Sequence, residues 1–353
     1  MKLRRRLWSL FAALGLTASA HAAGPVLVIH AGAGVLRRDM PPAREKAIRA
    51  ALTHALEAGY AQLKAGKPAI DAVTASLTVL EDDPLFNAGR GSVFTHAGTL
   101  EMDAAIMDGY TLRAGSVAAV SDVKNPIVLA RAVMEHTPHV MLVGAGAEAF
   151  AQAQGVAREK PEYFRTEERW QQLQQALKED AAGKPHADAD TSRHFGTVGA
   201  VALDTYGHLA AGTSTGGMND KMPGRVGDSP IIGAGTYANA GCAVSGTGWG
   251  EFYMRTVAAH AICSRVAQLR MPIARAAAEV INQEIPAMGG SGGAIALDDR
   301  GHIAIPFNTH GMFRGWIDGQ GHPHVAIYGD EDDGTGELLP APAPDDAASD
   351  AGP

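Results

Sequence analysis

One pattern occurs twice in this sequence, and the repetition limits the architectures open to the chain. Gly199-Ala-Val-Ala-Leu-Asp204-Thr-Tyr-Gly207-His-Leu-Ala aligns without a gap on Gly293-Ala-Ile-Ala-Leu-Asp298-Asp-Arg-Gly301-His-Ile-Ala. Each copy predicts a strand, an Asp-x-x-Gly turn and a return strand, with side chains alternating along both arms. Helical spacing separates the copies, at residues 251–269 and 273–285, so sheets and helices should stack in layers. Two copies are too few for a solenoid.

The rest of the chain fits that reading. Val26 to His30 is a short apolar strand followed by a Gly-Ala-Gly turn. Ile48, Leu52, Ala55, Gly59 and Leu63 then recur at helical spacing, as do Ile70, Val73, Leu77 and Leu80. Gly-punctuated segments at 99–107 and 111–117 predict paired strands. Residues 128–150 carry a helical pattern with a short strand at 140–143, and 167–177 a polar helix. Residues 178–193 (KEDAAGKPHADADTSR) hold almost no large apolar side chain and predict a mobile linker, after which the chain turns abruptly apolar at Phe195. The Ala/Pro/Asp-rich end, 339–353, predicts disorder.

A basic cluster (Lys2, Arg4, Arg5, Arg6), an apolar run from Leu7 to Leu16 and Ala20-His21-Ala22 read as a secretory signal peptide, residues 1–22, cleaved after Ala22. The run is shorter than the ~20 residues of a membrane span, so no membrane association is expected after signal removal and the protein should be periplasmic or secreted. Arg5-Arg6 leaves twin-arginine export open. The formal charge of −8 becomes more negative once the four basic residues leave, which argues against nucleic acid as a partner. The two cysteines, Cys242 and Cys263, read as small buried residues, with a disulfide open to an exported chain. His194, His208, His302 and His310 are scattered near turns without zinc spacing, so no metal cofactor is expected for catalysis.

Thr197 begins the first repeated strand, preceded by Gly196 and the loose linker. A threonine hydroxyl needs a neighbouring base, and breaking the 196–197 bond would place an α-amine, with an ordinary pKa of ~8, on the same residue. Alone, such a threonine is only a good strand former. Thr213-Ser-Thr215-Gly-Gly217 ends the partner strand, either bringing a second hydroxyl to Thr197 or satisfying its own backbone. In Gly224-Arg225-Val226-Gly227-Asp228-Ser-Pro230, Arg and Asp three residues apart suit an amino acid's α-carboxylate and α-ammonium, a surface salt bridge being the plainer alternative. Ser245-Gly-Thr247-Gly248-Trp249-Gly250-Glu251 precedes a helical pattern, where backbone amides can stabilise an oxyanion. Ala31 to Gly34 and Gly289 to Gly293 lack the lysine of a phosphate loop and the spacing of a dinucleotide site, and read as close-packed turns.

Several separated segments in order resemble the plant-type asparaginase and isoaspartyl peptidase family: His30-Ala-Gly-Ala-Gly34, Asp83-Pro-Leu-Phe-Asn-Ala-Gly89, Glu101-Met-Asp-Ala104, Met107-Asp-Gly109, Gly196-Thr-Val-Gly-Ala200, Thr213 to Gly217, Gly224 to Pro230 and Gly289 to Gly293. The resemblance covers nearly all of the chain beyond the signal. It implies an α+β fold, a four-layer αββα sandwich of the N-terminal-nucleophile hydrolase type, built from an α subunit (23–196) and a β subunit (197–353) that assemble as (αβ)2. It implies hydrolysis of L-asparagine and β-aspartyl dipeptides, small-molecule substrates, through a Thr197 ester. Thr215 would support the nucleophile, Thr247 and the amide of Gly248 would form the oxyanion hole, and Arg225 and Asp228 would hold the substrate. Val226, Gly227, Trp249, Gly250 and Asn87 would line the site. Leu80, Glu81, Asp83, Phe86, Ala88 and Arg90 resemble a structural sodium loop of backbone carbonyls.

Gly246 stands where relatives often carry a larger residue. Glycosylasparaginases typically have His-Asp-Thr where this chain has Phe195-Gly196-Thr197, so a glycoprotein-directed amidase ranks lower. A non-enzymatic envelope protein binding amino acids would need Arg225 and Asp228 but no freed Thr197. A threonine hydrolase cutting internal protein sites is a further alternative.

Overall fold

Alternating side chains in the central strands decide the layering. In β1 (Val26–Gly34), Leu27 and Ile29 enter one apolar cluster and Val28 another; in β5 (Thr197–Leu203), Val198, Ala200 and Ala202 enter the first and Val201 and Leu203 the second. Both strands are therefore covered on both faces, as a period of two requires. The computed structural model describes residues 24–34, 38–182, 196–318 and 320–331. The predicted signal and C-terminal tail lie outside them.

The remaining elements of the first half are α1 (Pro42–Lys64), α2 (Ala69–Asp82), β2 (Met102–Asp108), β3 (Ala114–Val120), α3 (Pro126–His136), β4 (Met141–Val143), α4 (Gly144–Gln154), α5 (Pro161–Phe164) and α6 (Glu167–Ala181). The second half continues with β6 (Leu209–Thr215), β7 (Thr236–Asn239), β8 (Cys242–Gly248), α7 (Gly250–Thr256), α8 (Ala258–Leu269), α9 (Ile273–Glu279), α10 (Ile285–Ala287), β9 (Gly292–Asp298), β10 (Ile303–Ala304), β11 (Gly311–Ile317) and β12 (Pro323–Tyr328).

An eight-stranded sheet runs β12-β11-β1-β5-β6-β2-β3-β4 and a four-stranded sheet β10-β9-β8-β7. Helices α1, α2 and α3 cover the outer face of the large sheet, and α8 and α9 that of the small one. One core lies between α1–α3 and the large sheet, one between the sheets (Val28, Val201, Ile295, Leu297) and one between the small sheet and its helices (Val244, Ile262, Ala296). The result is the four-layer αββα sandwich. The first repeat forms the β5–β6 hairpin at the middle of the large sheet, and the second the β9–β10 hairpin at the edge of the small one.

Several expectations need correction. The linker does not begin at 178: α6 runs through Ala181, its last turn held by Gln175 donating to Glu179 at 2.6 Å. The remainder of the linker from 183 lies outside the described residues. The Gly-Ala-Gly stretch after His30 is no turn but the end of β1, with an irregularity between His30 and Ala33. The single helix expected over 251–269 breaks at Val257 (φ +50°), because the first amides of α8 are taken by a neighbouring loop: Ala259 donates to Ala234 and His260 to Gly233. The 273–285 helix widens into a π turn at Val280–Glu284 just before Pro286, which has no N–H to continue a regular ladder. Cys242 and Cys263 are buried, but they are bonded to each other, Cα atoms 5.4 Å apart, fastening the start of β8 to α8.

A third turn of the repeated kind went unread in the sequence. Asp318 accepts the amides of Gln320 and His322, as Asp204 accepts those of Tyr206 and His208 and Asp298 those of Arg300 and His302. The flanking strands, β11 and β12, differ too much in side chains for the copy to align.

Candidate active site

Thr197 opens β5 directly opposite Thr215, the last residue of β6. Opposed residues of an antiparallel pair share a face, so the two hydroxyls meet: Thr197 Oγ1 donates to Thr215 Oγ1 at 3.2 Å. Thr215 accepts the Gly217 amide at 2.9 Å and donates to the Gly196 carbonyl at 3.4 Å. In the uncut chain the nitrogen of Thr197 is a peptide nitrogen.

Gly196 has φ +103°, a conformation that favours glycine. A Cβ there would lie 2.5 Å from the Cβ of Asn87, and one on Gly32 would lie 2.8 Å from the Cα of Gly196. The peptide before Thr197 is thus clasped between the end of β1 and the loop after α2. Asn87 is fully buried and also fixes the turn after Thr215: its Nδ2 donates to Gly217 O at 2.6 Å and its carbonyl accepts the Gly216 amide.

Arg225 and Asp228 border one point in space. A Cβ on Gly250, the first residue of α7, would lie 2.6 Å from Asp228 Oδ1 and 3.1 Å from Arg225 Nη2. Arg225 donates through Nε and Nη2 to both oxygens of Glu251 at 3.0 and 2.8 Å. The Arg225 side chain is 16% exposed and that of Glu251 41%, so Glu251 approaches from the solvent side. Burial pushes the Asp228 carboxyl up to about 7 against the opposing pull of Arg225, and its Oδ2 meets no hydrogen-bond donor. Asp228 is buried while Val226 is half-buried, and a side chain on Gly227 would strike Arg225 Nη1.

From the small sheet, β8 supplies Thr247, whose Oγ1 is buried and has no hydrogen-bond partner among the described residues. Gly248 has φ +148°, and a Cβ there would lie 2.4 Å from Ser291 O. The Trp249 amide donates to that same carbonyl at 2.9 Å, and its ring meets Phe252 edge-on. A side chain on Gly246 would rest against the Tyr253 ring, 3.0 Å away, beside Asp228.

Asp103 joins these parts. It pairs in register with Thr215 from the neighbouring strand β2, is fully buried, and feels the charges of both Lys221 and Arg225. It sits within a quoted motif, but nothing in the sequence alone gave it a place. A buried hydroxyl chain also went unread: His30 Nε2 meets Ser245 Oγ at 2.9 Å, Ser245 meets Thr213 Oγ1 at 2.7 Å, and Thr236 Oγ1 donates to Thr213 at 2.6 Å. Burial lowers the His30 pKa to about 3, so its ring is neutral. Gly199 makes the contact possible, since a Cβ there would lie 2.0 Å from Ser245 Oγ and 2.1 Å from His30 Nε2.

Residues 80–90 form a tight winding of carbonyls. Phe86 N donates to Asp83 O, Ala88 N to Phe86 O and Gly91 N to Ala88 O. A Cβ on Gly89 would lie 2.4 Å from Glu81 O, and one on Gly91 1.9 Å from Phe86 O. Leu80 is buried in the helical core, and the exposed Arg90 stacks over Tyr163. The Glu81 side chain accepts from Ser214 Oγ and the Ile127 amide, its carboxyl pushed by burial up to about 8.

A sequence profile described as asparaginase matches residues 23–327, most of the chain. The chain belongs to the asparaginase family. It is 49% identical over 312 residues to the isoaspartyl peptidase of Escherichia coli (strain K12), covering 87% of this chain and 97% of that protein. It is 48% identical to the isoaspartyl peptidase of Salmonella typhimurium, covering 86% and 98%. A probable isoaspartyl peptidase/L-asparaginase 2 of Arabidopsis thaliana is 39% identical, covering 86% and 99%. The family is one of N-terminal-nucleophile hydrolases, and the stacked sheets are the architecture of that class.

Proposed function

We propose that this asparaginase-family chain cuts itself between Gly196 and Thr197 and that the freed Thr197 hydrolyses β-aspartyl dipeptides and L-asparagine. The observation that supports this most is the hydrogen-bonded line Thr197 Oγ1–Thr215 Oγ1–Gly196 O at a clasped glycine peptide. Thr197 Oγ attacks the Gly196 carbonyl carbon, the acyl group passes from nitrogen to oxygen, and water hydrolyses the ester, leaving a free α-amine. That amine takes the proton of the hydroxyl in the next cycle.

Arg225 then holds the substrate's α-carboxylate and Asp228 its α-ammonium, with Val226, Gly227, Trp249, Gly250 and Asn87 shaping the site. Thr197 attacks the side-chain amide carbon, and the oxyanion accepts hydrogen bonds from the Thr247 hydroxyl and the Gly248 amide. Ammonia or an amino acid departs with the proton, and water releases L-aspartate from the ester. The unpartnered Thr247 hydroxyl supports its role. The carbonyl winding of 80–90 fits a structural sodium ion, which would brace the loop carrying Asn87 and supply no chemistry. The names of the E. coli and Salmonella relatives support the dipeptide reading.

The disulfide and the signal-like first 22 residues support export to the periplasm or beyond. The assembly is (αβ)2, pieces 23–196 and 197–353 remaining together in one sandwich. Intact-mass and N-terminal analysis of the purified protein tests the reading, followed by assays on β-aspartyl dipeptides and asparagine. Two chains with Thr197 leading the smaller uphold it. A chain still single after prolonged incubation overturns it and leaves an amino-acid-binding protein in its place.

A further inference from the structure

Away from Thr197, the fold gathers three ligand-bearing side chains from distant parts of the sequence. One atom each of His96, Asp180 and Asp220 lies within 4.8 Å of the others. His96 Nδ1 is 2.9 Å from Asp220 Oδ1. Their backbones are locked together, since His96 N donates to Lys221 O and Asp220 N to Phe94 O. Asp180 comes from the last turn of α6.

Asp220 sets this cluster apart from an exposed acidic patch. Its side chain is 2% exposed, against 55% for His96, and its buried Oδ2 meets no hydrogen-bond donor. Two carboxylates and one imidazole at this spacing offer a cation three ligand atoms. One nitrogen and two carboxylate oxygens match the donors that bind zinc in an open site, whereas calcium and magnesium prefer oxygen alone.

We propose that His96, Asp180 and Asp220 form a divalent-cation site of zinc type that ties the end of α6 to the loop after β6. This inference does not rest on the proposed hydrolysis. The site would nonetheless bridge the pieces that cleavage creates, with His96 and Asp180 on one side of residue 196 and Asp220 on the other. The loop it fastens also supplies the Gly217 amide to Thr215.

Isothermal titration of tag-free, EDTA-stripped full-length protein with zinc chloride tests the site, comparing wild type with Asp220→Asn and His96→Ala. One zinc ion per chain is expected in the wild type. Either variant should bind roughly tenfold more weakly or worse, a loss that removal of even an outer-shell partner can cause. Cobalt in place of zinc should give visible absorption that His96→Ala alters. No stoichiometric binding in the wild type, or equal binding and unchanged cobalt spectra in His96→Ala, overturns the proposal. The ring of His96 is exposed, so that variant decides the matter even where Asp220→Asn fails to fold.

Discussion

The β5–β6 and β9–β10 hairpins share a sequence pattern and a turn but have different settings. In both, the aspartate accepts two amides of its own turn and glycine closes it at positive φ, +78° for Gly207 and +83° for Gly301. Beyond the turn they diverge. β5 pairs with β6 over seven residues and lies between β1 and β6, whereas β10 is two residues long. Asp204 is buried and its second oxygen takes the Ala69 amide at the start of α2; the second oxygen of Asp298 meets His302. Turn chemistry is local, while reactivity depends on what neighbouring strands bring to the arms.

The largest expected effect falls on Thr197, which opens β5 opposite Thr215, whereas its counterpart in the second copy, Ser291, precedes β9. Thr197→Ala should stay a single chain by intact mass and show no turnover of β-aspartyl dipeptides. Detectable cleavage in that variant would separate the hairpin from the chemistry.

Next in size is the charge that the opposite sheet's side contributes. Both the Thr197 amine, ordinarily near 8, and Asp228, near 7, must lose a proton for the proposed cycle. Since burial raises the Asp228 pKa, the carboxyl is neutral below about 7 and loses its hold on an ammonium. A plot of log kcat/KM should therefore steepen toward a slope of two as pH falls below 7. Asp228→Asn should retain a slope of one and raise KM roughly 30-fold or more, as loss of one partner of a buried charged pair does. An unchanged acid limb in that variant would remove Asp228 from the binding step.

Equivalent glycines sharpen the comparison further. Gly199→Ala drives a methyl into Ser245 and His30, and about 3 kcal/mol or more of stability should be lost. At Gly293 a methyl would meet the Met312 sulfur and the Phe307 Cβ, both 2.7 Å away, a smaller overlap than the 2.0 Å at Gly199, so Gly293→Ala should cost less, about 1–2 kcal/mol. Both values are readable by guanidinium unfolding in the Thr197→Ala background. Smaller still is the difference between the turn aspartates. Asp204→Ala should cost about 2 kcal/mol and Asp298→Ala about 1, since only Asp204 also caps a buried amide. Equal losses would mean that the tie to α2 contributes nothing.

What could be read in advance follows the same division between local and distant. Alternation in residues 197–203 and helical spacing in 48–63 are written in neighbouring side chains, and both elements form as expected. Thr197, Thr215, Arg225 and Asp228 stood in recognisable motifs, and the fold brings Thr197 to Thr215 and Arg225 to the neighbourhood of Asp228. The chain His30–Ser245–Thr213–Thr236 draws on four strands of two sheets, so no spacing announces it. Cys242 and Cys263, two sulfurs 21 residues apart, gave no reason to choose bonding over simple burial. Glu251 stood at the start of the expected helix with no role of its own, and only the folded α7 shows it gripping Arg225.

The strand order of the large sheet has a consequence for the protein's lifetime. Reading across it, β12 and β11 come from after residue 197, β1 from before, β5 and β6 from after, and β2, β3 and β4 from before. Were the proposed cleavage to break the 196–197 bond, neither piece would hold the large sheet whole, although the small sheet lies entirely in the second, and reassembly would require two separate molecules to find each other and interleave. The uncut chain folds as a unimolecular event, but a protein cut as proposed would inherit a shape it could not easily regain. Its durability would then be governed by how slowly it comes apart rather than by an equilibrium with the unfolded state.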